Sequence, residues 1–388
     1  MTAGNPLRTL AGLGQSVWLD FIRRSWLEDG TLERLIREDD LRGMTSNPAI
    51  FEKAIANGRE YDDQIAAIVR SETGAETTPL AIYEQVAVED IRRAADLLEP
   101  VYRRTHMQDG YVSLEVSPEL AEDAAGSLAE ARRLWREVDR PNVMIKIPGT
   151  KTCLPVIRSL LAEGINVNIT LLFARQAYAD VAEAYFSALE ERLGKGLPLD
   201  RIASVASFFI SRIDTLVDKK LDEKAKSASP ADRIRLEALK GKIAIANAKQ
   251  AYALFTGLFA SPRWQRLAEA AAVPQRLLWA STSAKNPAYR DVVYVEELIG
   301  NPTVNTMPPE TIDAFRDHGV ARATLGEGLT EARKQLEELA ALGISLDGAT
   351  DELLADGVAK FVEPFRKLLG AITVRARELA AGSGASAR

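Results

Sequence analysis

Eight short apolar runs recur along the chain: Val17 to Asp20, Gly43 to Asn47, Tyr111 to Val116, Val143 to Pro148, Asn166 to Leu172, Ile202 to Ile210, Arg276 to Thr282 and Thr303 to Met307. Amphipathic stretches long enough for helices lie between most of them, and this alternation predicts parallel β/α units rather than hairpins. Eight units over about 300 residues predict an α/β protein built as a closed (β/α)8 TIM barrel. Local pattern by itself does not separate closure from an open doubly wound sheet, but the size fits the barrel.

Helix signals sit where the alternation requires them. Ile82, Val86, Ile91, Ala94, Ala95, Leu98 and Val101 recur at helical spacing, as do Leu128, Ala131, Leu134, Trp135 and Val138. Asn47-Pro48 and Ser117-Pro118 each place a capping side chain before a proline at the first helical position. Gly164 is positioned to close a helix that begins near Thr152.

Two segments exceed a minimal barrel. Residues 215–266 are helical in pattern and rich in Lys and Ala, which predicts a helical hairpin inserted after strand six, turning near Ser227-Ala228-Ser229-Pro230. Residues 326–379 predict C-terminal helices packed on the barrel. Leu336, Leu339 and Leu342 mark one, and Leu353, Leu354, Val358, Phe361, Val362, Phe365 and Leu369 mark another, which Pro364 should kink. The stripe on that last helix is expected to serve packing. The tail 380–388 is expected to be disordered, and the whole of 1–388 to form one barrel domain.

Composition changes the picture mainly by exclusion. At 46% hydrophobic and 27% charged over 388 residues, the chain has the balance of an ordinary soluble globular protein. Its single cysteine, Cys153, rules out an internal disulfide and suits a reducing cytoplasm. No apolar run approaches a membrane span, and the N-terminus lacks a signal pattern, so a cytoplasmic location and no membrane partner are expected. A net charge of −6 gives no general attraction to nucleic acid, so any phosphate must be met by a local cluster of cations. With only His106 and His318, in dissimilar polar contexts, a His-rich metal site or a serine-type triad has little material. Gly149-Thr150-Lys151-Thr152 echoes a phosphate loop but lacks its first glycine, and no strand leads into G-x-G-x-x-G.

The informative residue is Lys146, in the middle of the apolar run Val143-Met144-Ile145-Lys146-Ile147-Pro148. Lysine is rarely buried unpaired, and desolvation favours the neutral amine that can attack a ketone and form a Schiff base. The plain alternative is a strand-end lysine reaching back to water. In a barrel, Asp20, Asn47, Glu115, Lys146, Asn168, Thr170, Ser207, Phe209 and Ser281 would all converge on the face where such folds build their active sites. Each has a duller reading: Asn47 and Asp20 as helix caps, Glu115 as a neutralising partner of Lys146, and Thr170 or Ser207 as ordinary strand residues.

The segments Ser16-Val17-Trp18-Leu19-Asp20, Gly43 to Phe51, Val112-Ser113-Leu114-Glu115-Val116, Ile145 to Thr150 and Asn166 to Phe173 together resemble transaldolase, over about Asp20 to Asn305. The wording Thr45-Ser46-Asn47-Pro48-Ala49-Ile50-Phe51 and the long insertion resemble the bacterial branch that also occurs fused to glucose-6-phosphate isomerase, although this chain is expected to lack that second enzyme. The resemblance implies transfer of a dihydroxyacetone unit from sedoheptulose 7-phosphate to glyceraldehyde 3-phosphate, without metal or other cofactor. It implies Lys146 as the Schiff-base nucleophile, Asp20 as the base for carbon–carbon cleavage, and Glu115 as a proton shuttle working through a water with help from Thr170. Asn47, Asn168 and Ser207 would hold the three-carbon unit, and Arg212 would grip phosphate with Ser281 and Lys285. The later family segment usually reads alanine-serine-phenylalanine-arginine-asparagine. This chain has Ala280-Ser281-Thr282-Ser283-Ala284-Lys285-Asn286, so Lys285 would stand in for the arginine, unless it is simply a solvated surface lysine.

Phe209 matches transaldolase, whereas the related small fructose-6-phosphate aldolases carry tyrosine there. A class I aldolase, a non-catalytic sugar-phosphate binder and an interaction scaffold stay as alternatives. The expected partners are phosphorylated sugars, and the expected assembly is a monomer or homodimer.

Overall fold

The computed structural model describes residues 4–71 and 78–385. Its strands are β1 (Gln15–Asp20), β2 (Gly43–Thr45), β3 (Tyr111–Glu115), β4 (Val143–Pro148), β5 (Val167–Leu172), β6 (Ser204–Phe209), β7 (Arg276–Ala280) and β8 (Thr303–Met307), hydrogen-bonded in that order and closed into a barrel. Closure is carried by parallel pairing of β1 with β8, where Gln15 faces Thr303. The buried Gln15 amide donates to Leu298 O at 2.7 Å and Thr303 Oγ1 at 2.9 Å, which fastens that seam with side-chain bonds as well as the ladder. Strands covered by helices on one face and core on the other are buried on both, which is why they read as near-continuous apolar runs.

The connections differ from the sequence pattern in two places. Ser117 caps only a single turn of 3₁₀ helix, Pro118–Leu120, and the helix proper, Ala124–Val138, is capped by Asp123, whose carboxylate accepts from Gly126 N. Between β6 and β7 the chain runs through Ser211–Ala225, Pro230–Leu239, Ile243–Phe259 and Pro262–Glu269. The turn at Ser227 to Pro230 is present, but the expected hairpin is broken again at Lys240 to Lys242. Gly241 there takes a φ of +67°, and the Tyr289 ring occupies the space a Cβ would need.

The terminal helix, Leu346–Ala385, is continuous through Pro364, the proline expected to kink it. The lost N–H bond there is offset by burial of Phe361, Phe365 and Leu368 against the rest of the molecule. The same helix continues through Ala385, and residues 386–388 of the expected tail lie outside the described residues. Leu154–Glu163 ends at Gly164 with a φ of +98°, as the pattern predicted.

The terminal helix packs on Pro48–Asn57, Asp62–Ser71, the first helix after β6, and β5 itself. It therefore crosses the end of the barrel at which the strands finish.

Candidate active site

Register sets the polar strand-end residues beside one another in two groups. Glu115 on β3 pairs with Lys146 on β4, which pairs with Asn168 on β5, while Asp20 on β1 pairs with Thr45 on β2. Lys146 is 5% exposed, so the reading in which it reaches back to water does not describe it. Its Nζ donates to Ser46 O at 3.2 Å and lies 3.2 Å from Glu115 Oε2. That ion-pair contact lacks hydrogen-bond alignment, and both buried oxygens of Glu115 are left without a hydrogen-bond donor.

Burial is the dominant electrostatic influence on the two carboxylates. It pushes Glu115 above the usual carboxylate range, against the pull of the Lys146 charge. It pushes Asp20 up as well, against Lys146 and the hydrogen bond donated by Thr45 Oγ1 at 2.6 Å. Both carboxyl groups are thus raised by burial, and both feel the Lys146 charge.

Two residues near the strand ends sit in the left-handed region without being glycine. Leu171, at φ +62°, lies where the β5–β6 register slips between Ile169 and Leu172, and Ser281, at φ +57°, follows β7. Such backbone costs of order 1–3 kcal/mol per residue and re-aims neighbouring side chains. The neighbour at the slip is Thr170, whose buried Oγ1 has no hydrogen-bond partner. Ser281 Oγ lies 2.9 Å from Ser211 Oγ.

Asp20, Asn47, Lys146, Thr170, Ser207, Phe209, Arg212, Ser281 and Lys285 line one cavity of about 520 Å³ at this end of the barrel. Asn47 also caps Pro48–Asn57, accepting from Ile50 N, so its duller role is real and accompanies its place in the cavity wall. Glu115 lies behind Lys146, facing a smaller space beside Tyr83 and Phe365. Asn168 is fully buried and does not line the cavity; it donates to Ser113 Oγ at 2.9 Å and accepts from Ser207 Oγ at 2.7 Å. His106 and His318 are both exposed and lie outside the cavity lining.

The lining carries Arg23, Lys53, Lys146, Arg212, Lys285 and Lys360 against only Asp20 and Glu310. A chain with net charge −6 therefore concentrates cations where a phosphate would need them. Arg212 is half-buried, and burial lowers its guanidinium below the ordinary arginine value. Its buried Nη1 has no protein hydrogen-bond partner among the described residues, and its Cζ lies 5.1 Å from the Phe209 ring centre and 6.0 Å from that of Phe361. Lys285 is exposed at the rim, with Nζ 2.7 Å from Ser283 Oγ.

Residues 17–372 match the family model described as transaldolase/fructose-6-phosphate aldolase. The chain is 45% identical over 378 residues to a transaldolase of Trichodesmium erythraeum, covering 97% of this chain and 98% of that one. It is 48% identical over 374 residues to transaldolase 2 of a Nostoc species, covering 95% and 97%. With a transaldolase of Thermobifida fusca it shares 46% identity over 380 residues, covering 97% and 99%. The chain belongs to the transaldolase family.

Several lining residues of this transaldolase-family cavity escaped the sequence reading. Phe21 and Arg23 follow β1, Lys53 comes from the helix after β2, and Glu310 follows β8. Lys360 and Phe361 come from the terminal helix, and the Phe361 ring centre is 5.6 Å from Lys146 Nζ. Phe361 was visible only as part of an apolar stripe. Periodicity identifies such a face without saying whether it covers a core or a cavity.

Proposed function

We propose that this chain is a transaldolase that works through a Schiff base on Lys146. The observation that carries the reading is a buried lysine, 3.2 Å from the buried Glu115 carboxylate, in a cation-rich cavity that Asp20 also lines. In its neutral form the Lys146 amine attacks the C2 ketone of sedoheptulose 7-phosphate. The carbinolamine loses water to give an iminium, which accepts the electron pair released when the C3–C4 bond breaks.

Asp20 takes the C4 hydroxyl proton during cleavage and returns it during transfer. Glu115 and Thr170 handle the water lost and regained at C2, a task that suits side-chain oxygens without a protein hydrogen-bond partner among the described residues. Erythrose 4-phosphate leaves, and the bound enamine attacks the aldehyde of glyceraldehyde 3-phosphate, giving fructose 6-phosphate. Asn47, Asn168 and Ser207 hold the hydroxyls of the three-carbon unit, Asn168 through the amide hydrogen that Ser113 does not take. Arg212 grips the phosphate through the guanidinium nitrogen that has no protein partner, with Ser281 and Lys285 assisting at the rim.

The assembly expected of the chain is a monomer or a homodimer. No described helix is long and apolar enough to cross a membrane. The phosphorylated substrates favour a cytoplasmic reaction within the pentose phosphate pathway. The experiment is a transfer assay with fructose 6-phosphate as donor and erythrose 4-phosphate as acceptor. Formation of sedoheptulose 7-phosphate is expected. Release of free dihydroxyacetone at the same rate with and without acceptor would instead support the aldolase reading.

A further inference from the structure

The terminal helix contributes a side chain to the reaction centre that its packing role does not explain. Phe361 is 7% exposed, and its ring is shared between two cations: Lys146 Nζ at 5.6 Å and Arg212 Cζ at 6.0 Å. The other ring beside Arg212, Phe209, is 5.1 Å away. Most of the remaining apolar stripe faces other helices or the barrel wall; Phe365, one turn on, meets Tyr83 edge-on at 5.6 Å.

We propose that Phe361 is a positioning residue of the transaldolase site, roofing the Lys146 adduct against bulk water while helping to hold the Arg212 guanidinium in place. This inference rests on the transaldolase reading above.

The physical need arises in the middle of the cycle. After the first product leaves, the three-carbon enamine must wait for an acceptor aldehyde. If C3 takes a proton from water instead, the electron pair of the enamine double bond becomes the new C3–H bond and the C2 iminium re-forms. Water then adds at C2, and the amine of Lys146 leaves as the C2 carbonyl returns, releasing free dihydroxyacetone. The leak consumes one water and returns the borrowed proton, so it needs no further reactant.

The productive cycle admits one water at C2, beside Glu115 and Thr170. The leak requires solvent access to C3. A ring over the amine fills space from which bulk water would approach and favours the positively charged iminium through its π face. By flanking Arg212, the same ring limits the motion of the group that anchors the far end of the substrate.

The test compares wild type with Phe361→Ala, Phe361→Leu and Val358→Ala. Val358 lies one turn earlier on the helix, packs on the core and does not line the cavity, so its truncation loosens the helix alone. With fructose 6-phosphate as donor and erythrose 4-phosphate as acceptor, the quantity read is free dihydroxyacetone released per sedoheptulose 7-phosphate formed. Circular dichroism and melting temperature are measured alongside. Phe361→Ala should raise the ratio about tenfold or more, a change of about 1.4 kcal/mol in relative barriers. Phe361→Leu should raise it less, because leucine fills part of the space, and it carries the test if the alanine variant does not fold. Val358→Ala should lower the melting temperature and leave the ratio alone.

An unchanged ratio in the Phe361 variants, or an equal rise in Val358→Ala, would overturn the proposal. A wild type that forms no borohydride-reducible adduct would overturn the transaldolase reading itself, and this inference with it.

Discussion

Two buried ion pairs in this molecule look alike by position and differ in completeness. Arg24 and Asp90 are 8% and 0% exposed at their side chains; Lys146 and Glu115 are 6% and 2% exposed. Burial is therefore not what separates them. Asp90 receives Arg24 Nε and Nη2 at 2.9 and 2.7 Å on one oxygen and the Tyr61 hydroxyl at 2.8 Å on the other, while the guanidinium stacks 4.6 Å over Tyr61. Glu115 receives one poorly aligned contact. A fully bonded pair has no capacity left for a substrate and acts as structure. An under-bonded pair holding a nucleophilic amine keeps its hydrogen-bonding capacity for something that arrives later.

The largest effect separating the two pairs should come from the lysine. Lys146→Arg keeps a buried cation beside Glu115 but replaces the amine with a group that stays protonated and cannot form a carbinolamine. Transfer should fall on the order of 10⁴-fold or more, with circular dichroism unchanged; activity near wild type would remove Lys146 from the chemistry.

Next come the carboxylates beside it. Asp20→Asn and Glu115→Gln should each cost about 10²–10⁴-fold in turnover, but at different steps. Rapid borohydride quenching should find substrate accumulating covalently on the Asp20 variant, with slow adduct formation in the Glu115 variant. The same step impaired in both would show that the two do not divide the work as described.

The matching test of the structural pair is Arg24→Ala. It strands the buried Asp90 and should destabilise the fold by about 3–5 kcal/mol, read by urea denaturation, while kcat per folded molecule changes little. Lost turnover in fully folded protein would mean that this pair also serves the chemistry.

Smaller effects belong to the phosphate cluster. Arg212→Ala should weaken phosphorylated donors by roughly 1.5–3 kcal/mol relative to unphosphorylated analogues, the worth of a charge-assisted hydrogen bond. Lys285→Ala should act in the same direction but less, since an exposed ammonium keeps much of its hydration. Equal losses for both kinds of donor would move phosphate recognition elsewhere.

A third buried carboxylate, Asp214, has no cation on it and sharpens the comparison through pH. It accepts from Ala244 N at 2.7 Å and the Tyr294 hydroxyl at 2.9 Å, and burial pushes it up to about 7. The folded state therefore holds this proton over a range where the unfolded chain has released it. The contribution is full below the ordinary aspartate value and is lost as pH rises through about 7. Wild-type stability in that window should fall by at most about 1.36 kcal/mol per pH unit from this group. Urea denaturation between pH 5 and 8 should show a flatter profile in Asp214→Asn, and identical slopes would contradict the assignment.

Much of this arrangement was legible because strands state their burial plainly. A lysine inside Val143 to Pro148 is conspicuous, and Glu115 and Asn168 share its level because the parallel register pairs both with it. Features that depend on contacts between distant segments were not legible. Nothing local marks Leu171 for a left-handed backbone, since the slip between β5 and β6 arises from pairing. Ser117 carries a good capping pattern, but Asp123 competes for the same helix and wins. Gly241 breaks the insertion because a tyrosine from another connection, Tyr289, packs where its side chain would be. Phe361 lies more than 200 residues from Lys146 in the sequence, and only the path of the terminal helix brings it over the amine.

The most direct measurement is the mass of the borohydride-reduced adduct formed with fructose 6-phosphate, mapped to its peptide. The account predicts a three-carbon dihydroxyacetone adduct on the peptide containing Lys146, absent from Lys146→Arg and discharged when erythrose 4-phosphate is added before reduction. An adduct on another lysine, or none from active protein, would contradict it.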